Sequence, residues 1–128
     1  MLKYRTPLIF LLSIILGFLV WWLSLSLTGA LEPWDAKNGY YFLVLGGTGV
    51  INGFLGGRRF WLWPIGTFIG ELTAIVVRNF SLPTGDVNFF IPVGLIVLII
   101  YLVPSFIGSA IGVSINAKTF KKAGANQK

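Results

Sequence analysis

The sequence predicts an all-α integral membrane protein, a bundle of four transmembrane helices with both termini cytoplasmic. Three observations carry this. Apolar residues make up 55% of the 128 residues and charged residues 11%, against about 25% charged in a typical soluble domain. Four apolar stretches approach the roughly 20 residues needed to cross about 30 Å of hydrocarbon. Lys and Arg gather on alternate connections, as the positive-inside rule requires. Lipid cannot hydrogen-bond an open backbone, so the spans are helices or a closed barrel. The alternation of a barrel strand is missing.

The first span covers about 7–28 and contains no charge. Its apolar run of roughly 20 residues exceeds the 7–15 of a signal peptide. A retained span is therefore expected, although "LTGA", Leu27 to Ala30, loosely resembles a cleavage site. The second span covers about 39–57, the third about 61–80 and the fourth about 89–116. A basic cytoplasmic tail follows at about 117–128, and the whole chain reads as a single membrane domain. The breaks "GALEPWDAKN", "GGRR" and "SLPTGDVN" hold the Gly, Pro, Asp and Asn of turns.

Lys3, Arg5, Arg58, Arg59, Lys118, Lys121, Lys122 and Lys128 all fall on one face of this topology. Lys37 and Arg78, with Glu32, Asp35 and Asp86, fall on the other. Trp61 and Trp63 on the first side, and Trp34, Tyr40 and Tyr41 on the second, suit interfacial belts. The net charge of +6 is thus placed for anionic lipid headgroups rather than nucleic acid. The expected location is a plasma membrane or a bacterial-type inner membrane. Asn79-Phe80-Ser81 matches a glycosylation sequon, but so near the membrane edge it reads as coincidence. "NGYYFLVLGG" and "VNFFIPVGLI" echo one another weakly; a duplicated hairpin is conceivable, but aromatic pairs at membrane edges are common and favour coincidence.

Small residues form stripes on three spans. Gly46, Gly49, Gly53 and Gly56 recur at three, four and three residues, with Asn52 beside them. Gly94, Tyr101, Ser105, Gly108 and Gly112 share a face of the fourth span, and Gly66 and Gly70 mark the third. Glycine costs a helix about 1 kcal/mol relative to alanine, so such stripes imply close helix–helix approach. They read as seams within the bundle, or as one seam facing another chain. The first span shows no such stripe and is expected to face lipid. Pro104 cannot donate to the carbonyl of Ile100, so a bend is expected beside it.

Glu71 lies about ten residues into the third span, near the bilayer midplane. A charged acid there costs about 2.5–3.5 kcal/mol on insertion scales, and the neutral carboxyl is the form expected. Thr67, Glu71, Ala74 and Arg78 share a face too polar for lipid. Glu71 and Arg78 are seven residues, about 10.5 Å, apart along the axis, and a direct bond is not expected. Asn52, Tyr101 and Ser105 are the candidate partners of the carboxyl at similar depth.

His and Cys are absent, which removes thiol nucleophiles, imidazole bases and the usual zinc ligands. No catalysis, metal or cofactor is expected. Two functions remain. The first, favoured because the glycine faces are extensive and polar groups at membrane depth are few, is a non-catalytic accessory or interaction subunit that docks through those faces into a homo-oligomer or larger membrane complex. The second is a small oligomeric transporter or channel that couples a proton or cation to Glu71. In length and span number the chain resembles the small multidrug transporters. Those carry their essential membrane Glu in the first helix, where this chain has none, and no family is assigned.

Overall fold

The computed structural model describes residues 5–30, 32–81 and 91–125. Among them the fold is all-α, without strands. Helix α1 is Arg5–Thr28, α2 is Tyr40–Gly56, α3 is Leu62–Ser81, α4 is Ile91–Tyr101 and α5 is Val103–Ala125, with a short 3₁₀ turn at Pro33–Asp35 before α2. Two rods are long and apolar enough to cross a membrane: α1, and the run Gly94–Thr119 through α4 and α5. At 17 residues, α2 is shorter, and α3 is diluted by Glu71 and Arg78.

Two helix ends match the punctuation read from the sequence. After α1 comes Gly29, at φ 74°, a left-handed conformation that glycine adopts without strain. Its N–H reaches the carbonyl of Leu25 at 3.0 Å. Gly57, at φ 72°, likewise closes α2 on Gly53. Pro64 sits in the first turn of α3, where no intrahelical donor is needed.

The fourth span departs from expectation. It is two helices, and the break falls at Leu102, not beside Pro104. The N–H of Leu102 is shared between Leu98 at 3.1 Å and Ile99 at 3.2 Å. Lacking an N–H, Pro104 leaves the turn before it to tighten, and the ladder resumes when Phe106 donates to Leu102 at 3.0 Å. Helix α5 runs on into the basic tail through residues 117–125, in keeping with the helix propensity of their Ala and Lys. The connection at 82–90, including most of "SLPTGDVN" and the start of the second echo, lies outside the described residues.

Helices pair by position in their hairpins. Helix α1 packs chiefly on α3, and α2 chiefly on α5. Both pairs run parallel, because contact positions rise together along both chains. On α3, Gly66 abuts Phe10 and Ser13, while Gly70 abuts Ile14 and Phe18. On α2, Gly49 abuts Ser105, and Gly53 abuts Ser109. A side chain would not fit at these crossings. A Cβ on Gly70 would lie 2.0 Å from the Ile14 carbonyl oxygen, and one on Gly53 2.2 Å from that of Ser109.

The glycine stripes are therefore filled by helices of the same chain. Gly108 and Gly112 of α5 meet the backbone of Gly46 and Val50, and Gly56 faces the Trp63 ring on α3. The expectation that α1 lacks a packing face is overturned. Ser13, Gly17 and Ser24 are buried along it, and a Cβ on Gly17 would lie 2.0 Å from the Thr67 carbonyl oxygen. Serine serves there as a small residue, its hydroxyl folded back onto its own helix at Ile9.

One end of the bundle collects positive charge. Arg5 donates through Nε and Nη2 to the carbonyl of Leu55, at 3.1 and 2.7 Å. The Asn116 amide donates to the carbonyl of Phe54. Both carbonyls belong to the last turn of α2, where no backbone donor follows. These contacts bring Arg5, Arg58, Arg59 and Lys118 to the same end.

Candidate functional site

Where the α1–α3 pair meets the α2–α5 pair, contact is sparser than within either pair. Glu71 of α3 and Tyr41 of α2 meet across this seam. The face of α3 read from the sequence points inward: Thr67, Glu71, Ala74 and Arg78 are all buried, together with Trp63 and Ile75. A buried face on a helix whose other sides carry Ile65, Ile69, Val76 and Val77 in exposed positions fits an amphipathic packing stripe.

Glu71 is fully buried, at 0% exposure. Its Oε1 accepts a hydrogen bond of 2.8 Å from the Tyr41 hydroxyl. Its Oε2 has no hydrogen-bond partner. The partner thus differs from the three candidates expected. Tyr101 lies one ring away instead, its centroid 4.7 Å from that of Tyr41. Asn52 is fully buried with both amide atoms unpartnered, and so is the hydroxyl of Ser105. Asn52 therefore makes no hydrogen bond across the glycine seam. Thr67 closes on its own helix, donating to the Trp63 carbonyl at 3.2 Å. Arg78 is buried in the last turn of α3.

An aromatic cluster encloses the carboxyl from the side of the α1–α2 connection. The Trp34 ring stands edge-on to Trp21 at 4.9 Å and to Tyr41 at 6.4 Å. A 2.6 Å bond from the Trp34 indole N–H to Glu32 holds that ring. Trp21 packs in turn among Ala74, Ile75 and Leu98. The neighbouring Tyr40 turns away and donates to the Val20 carbonyl at 3.1 Å. Tyr41 was read from the sequence as an interfacial belt residue. The doublet Tyr40-Tyr41 held the signal, but nothing in it says which ring turns inward. That choice rests on the phase of α2, which its packing on α5 sets.

The arrangement offers a desolvated carboxyl with one oxygen tied and one untied and a phenol that can donate or accept, while Asn52 and Ser105 hold further unpartnered polar atoms. Such groups suit a proton, a small cation or water. Among the described residues, no three acidic side chains gather to hold a metal ion. Comparison with known proteins finds no family model, no curated protein and no solved structure that matches this chain.

Proposed function

We propose that this chain is a small four-span membrane transporter or channel subunit in which Glu71 carries a proton or small cation. The observation that carries the reading is the untied Oε2 of a fully buried Glu71, in the seam between two glycine-packed helix pairs. Intramembrane acids are expensive to keep and usually functional. The expectation of docking through glycine faces has less support, because those faces are occupied within the chain.

The membrane setting is supported by the exterior. Leu8, Leu43, Ile99, Ile100 and Ile107 are all more than half exposed, a surface that water penalises. With the basic end in the cytoplasm, both termini lie there as well. Four helices of this length barely enclose a route on their own, so the working form is a homo-oligomer of two or more copies.

Reconstitution in proteoliposomes tests the reading. The wild type carries a proton- or cation-dependent flux. Glu71→Gln, which keeps shape and hydrogen bonding but never bears negative charge, assembles normally and abolishes it. A wild type without flux defeats the reading.

A second reading, the accessory or interaction subunit, has one observation in its favour. An open apolar groove of about 590 Å³ runs between α2 and α5, lined by Phe42, Val50, Ile100 and Ile107 among others, and a partner helix would fit there. Mass measurement of the intact assembly after gentle extraction shows whether a second species rides with the chain.

A further inference from the structure

Among the described residues, most of the unpartnered buried polar atoms other than Glu71 Oε2 belong to three side chains. They are Nδ2 and Oδ1 of Asn52 on α2, Nε1 of Trp63 on α3 and Oγ of Ser105 on α5. All three residues are at 0% exposure. The glycines of α2 locate them relative to one another. The Cβ position of Gly49 is 2.3 Å from the Ser105 carbonyl oxygen, and that of Gly56 is 2.2 Å from Cε2 of Trp63, the ring atom bonded to Nε1. Asn52 stands three residues after the first and four before the second. One helical turn, about 5–6 Å between Cβ atoms, separates it from each. Three helices from both pairs thus set polar side chains along one stretch of α2, from the level of Gly49 to that of Gly56, about 10.5 Å in length, and this stretch is the node.

We infer that Asn52, Trp63 and Ser105 bind water, and that this node admits water from the basic end of the bundle toward Glu71. The donor and acceptor complement fits water. An amide offers two N–H groups and an oxygen, an indole one N–H, and a hydroxyl both roles. Buried waters typically make about three hydrogen bonds to such otherwise unsatisfied groups. None of these three side chains is charged, so they do not by themselves define an ion site. Its depth suits an inlet, since Asn52 is one turn from the α2 terminus at Gly56 and Trp63 lies in the first turn of α3. From Trp63 the buried face of α3 continues through Thr67 to Glu71, eight residues or about 12 Å. The inlet extends the reading of Glu71 as a carrier, which is what gives it a destination.

Because the chain contains no cysteine, single-cysteine variants test the node directly. Asn52→Cys and Ser105→Cys are compared with Ile51→Cys and Ile107→Cys, whose native side chains are 49% and 57% exposed on the lipid-facing exterior. The probe is Ag⁺, a water-borne, thiol-binding cation small enough to follow a water route. It is supplied at the basic face of proteoliposomes and read as protection of the thiol from later alkylation in the denatured chain. Asn52→Cys and Ser105→Cys are protected at least tenfold faster than the two lipid-facing controls. Protection no faster than theirs, in variants that elute as the wild-type assembly, overturns the node. Ser105→Cys is the near-isosteric member, which keeps the test open should Asn52→Cys not assemble. Flux is scored separately. A hydrated node without wild-type flux removes the carrier reading and leaves the inlet, whereas Glu71-dependent flux with an unreactive node removes the inlet alone.

Discussion

Tyr41, in the first turn of α2, donates a 2.8 Å hydrogen bond to Oε1 of Glu71, in the middle of α3. It ties the two helix pairs together at their most polar point. Tyr41→Phe leaves a fully buried carboxyl with neither oxygen bonded. Unpartnered buried groups cost about 1–3 kcal/mol, whereas removing both partners is nearly neutral. Melting of the detergent-solubilised protein is expected to fall for Tyr41→Phe and to recover in Tyr41→Phe combined with Glu71→Leu. A double variant less stable than Tyr41→Phe would count against the bond as a structural tie.

Alanine substitutions separate the seam glycines from the others. Gly17→Ala, Gly53→Ala and Gly70→Ala each force a methyl group within about 2.2 Å of a backbone oxygen. The overpacking loss is about 1–3 kcal/mol each. At Gly47 a Cβ meets nothing within 4 Å. Gly47→Ala is therefore neutral or gains up to about 1 kcal/mol from helix propensity. Thermal unfolding in detergent checks the contrast, and equal responses at Gly47 and Gly53 would contradict the parallel α2–α5 packing.

The topology has a labelling signature. Lys37 and Lys121 are both exposed, and the four-span reading puts them on opposite sides. An impermeant thiol reagent applied to intact cells is expected to modify Lys37→Cys and leave Lys121→Cys untouched until the membrane is opened. Modification of both from the same side would remove the model.

The C-terminus of α2 depends on side chains borrowed from two other helices. Asn116→Ala removes the donor to Phe54, a loss of about 1 kcal/mol. Arg5→Ala removes two bonds to the Leu55 carbonyl, and a similar loss is expected because both contacts are open to solvent. Hydrogen exchange over the residues around Gly56 is expected to quicken in both. Unchanged exchange in the pair of variants would show that the turn at Gly57 caps the helix unaided.

Much of the secondary structure was legible from residue types alone. Apolar run length located the rods, and Gly29 and Gly57 marked ends that only glycine closes without strain. Inward placement of the Thr67, Glu71, Ala74 and Arg78 face was legible for a similar reason, since polar groups at helical spacing cannot share one face with lipid. What could not be read was where those groups find partners. Glu71 bonds to Tyr41, thirty residues away in sequence, and that pairing depends on the rotation of α2 about its own axis.

By itself the sequence determined an all-α chain of apolar rods, glycine stripes that demand close backbone contact, and one acid on a face of α3 that turns inward. These follow from local chemistry: burial, helix periodicity and the missing Cβ. Tertiary structure alone decided which helix fills which stripe. It placed α3 against Gly17 of α1, where only one glycine signalled a seam, and set α5 against α2, which uses the stripes inside the chain. It also gave Tyr41 rather than Tyr40 to the carboxyl. A glycine states that something must come near, but which helix does so depends on the crossing angles and register of the whole bundle, which no local stretch contains.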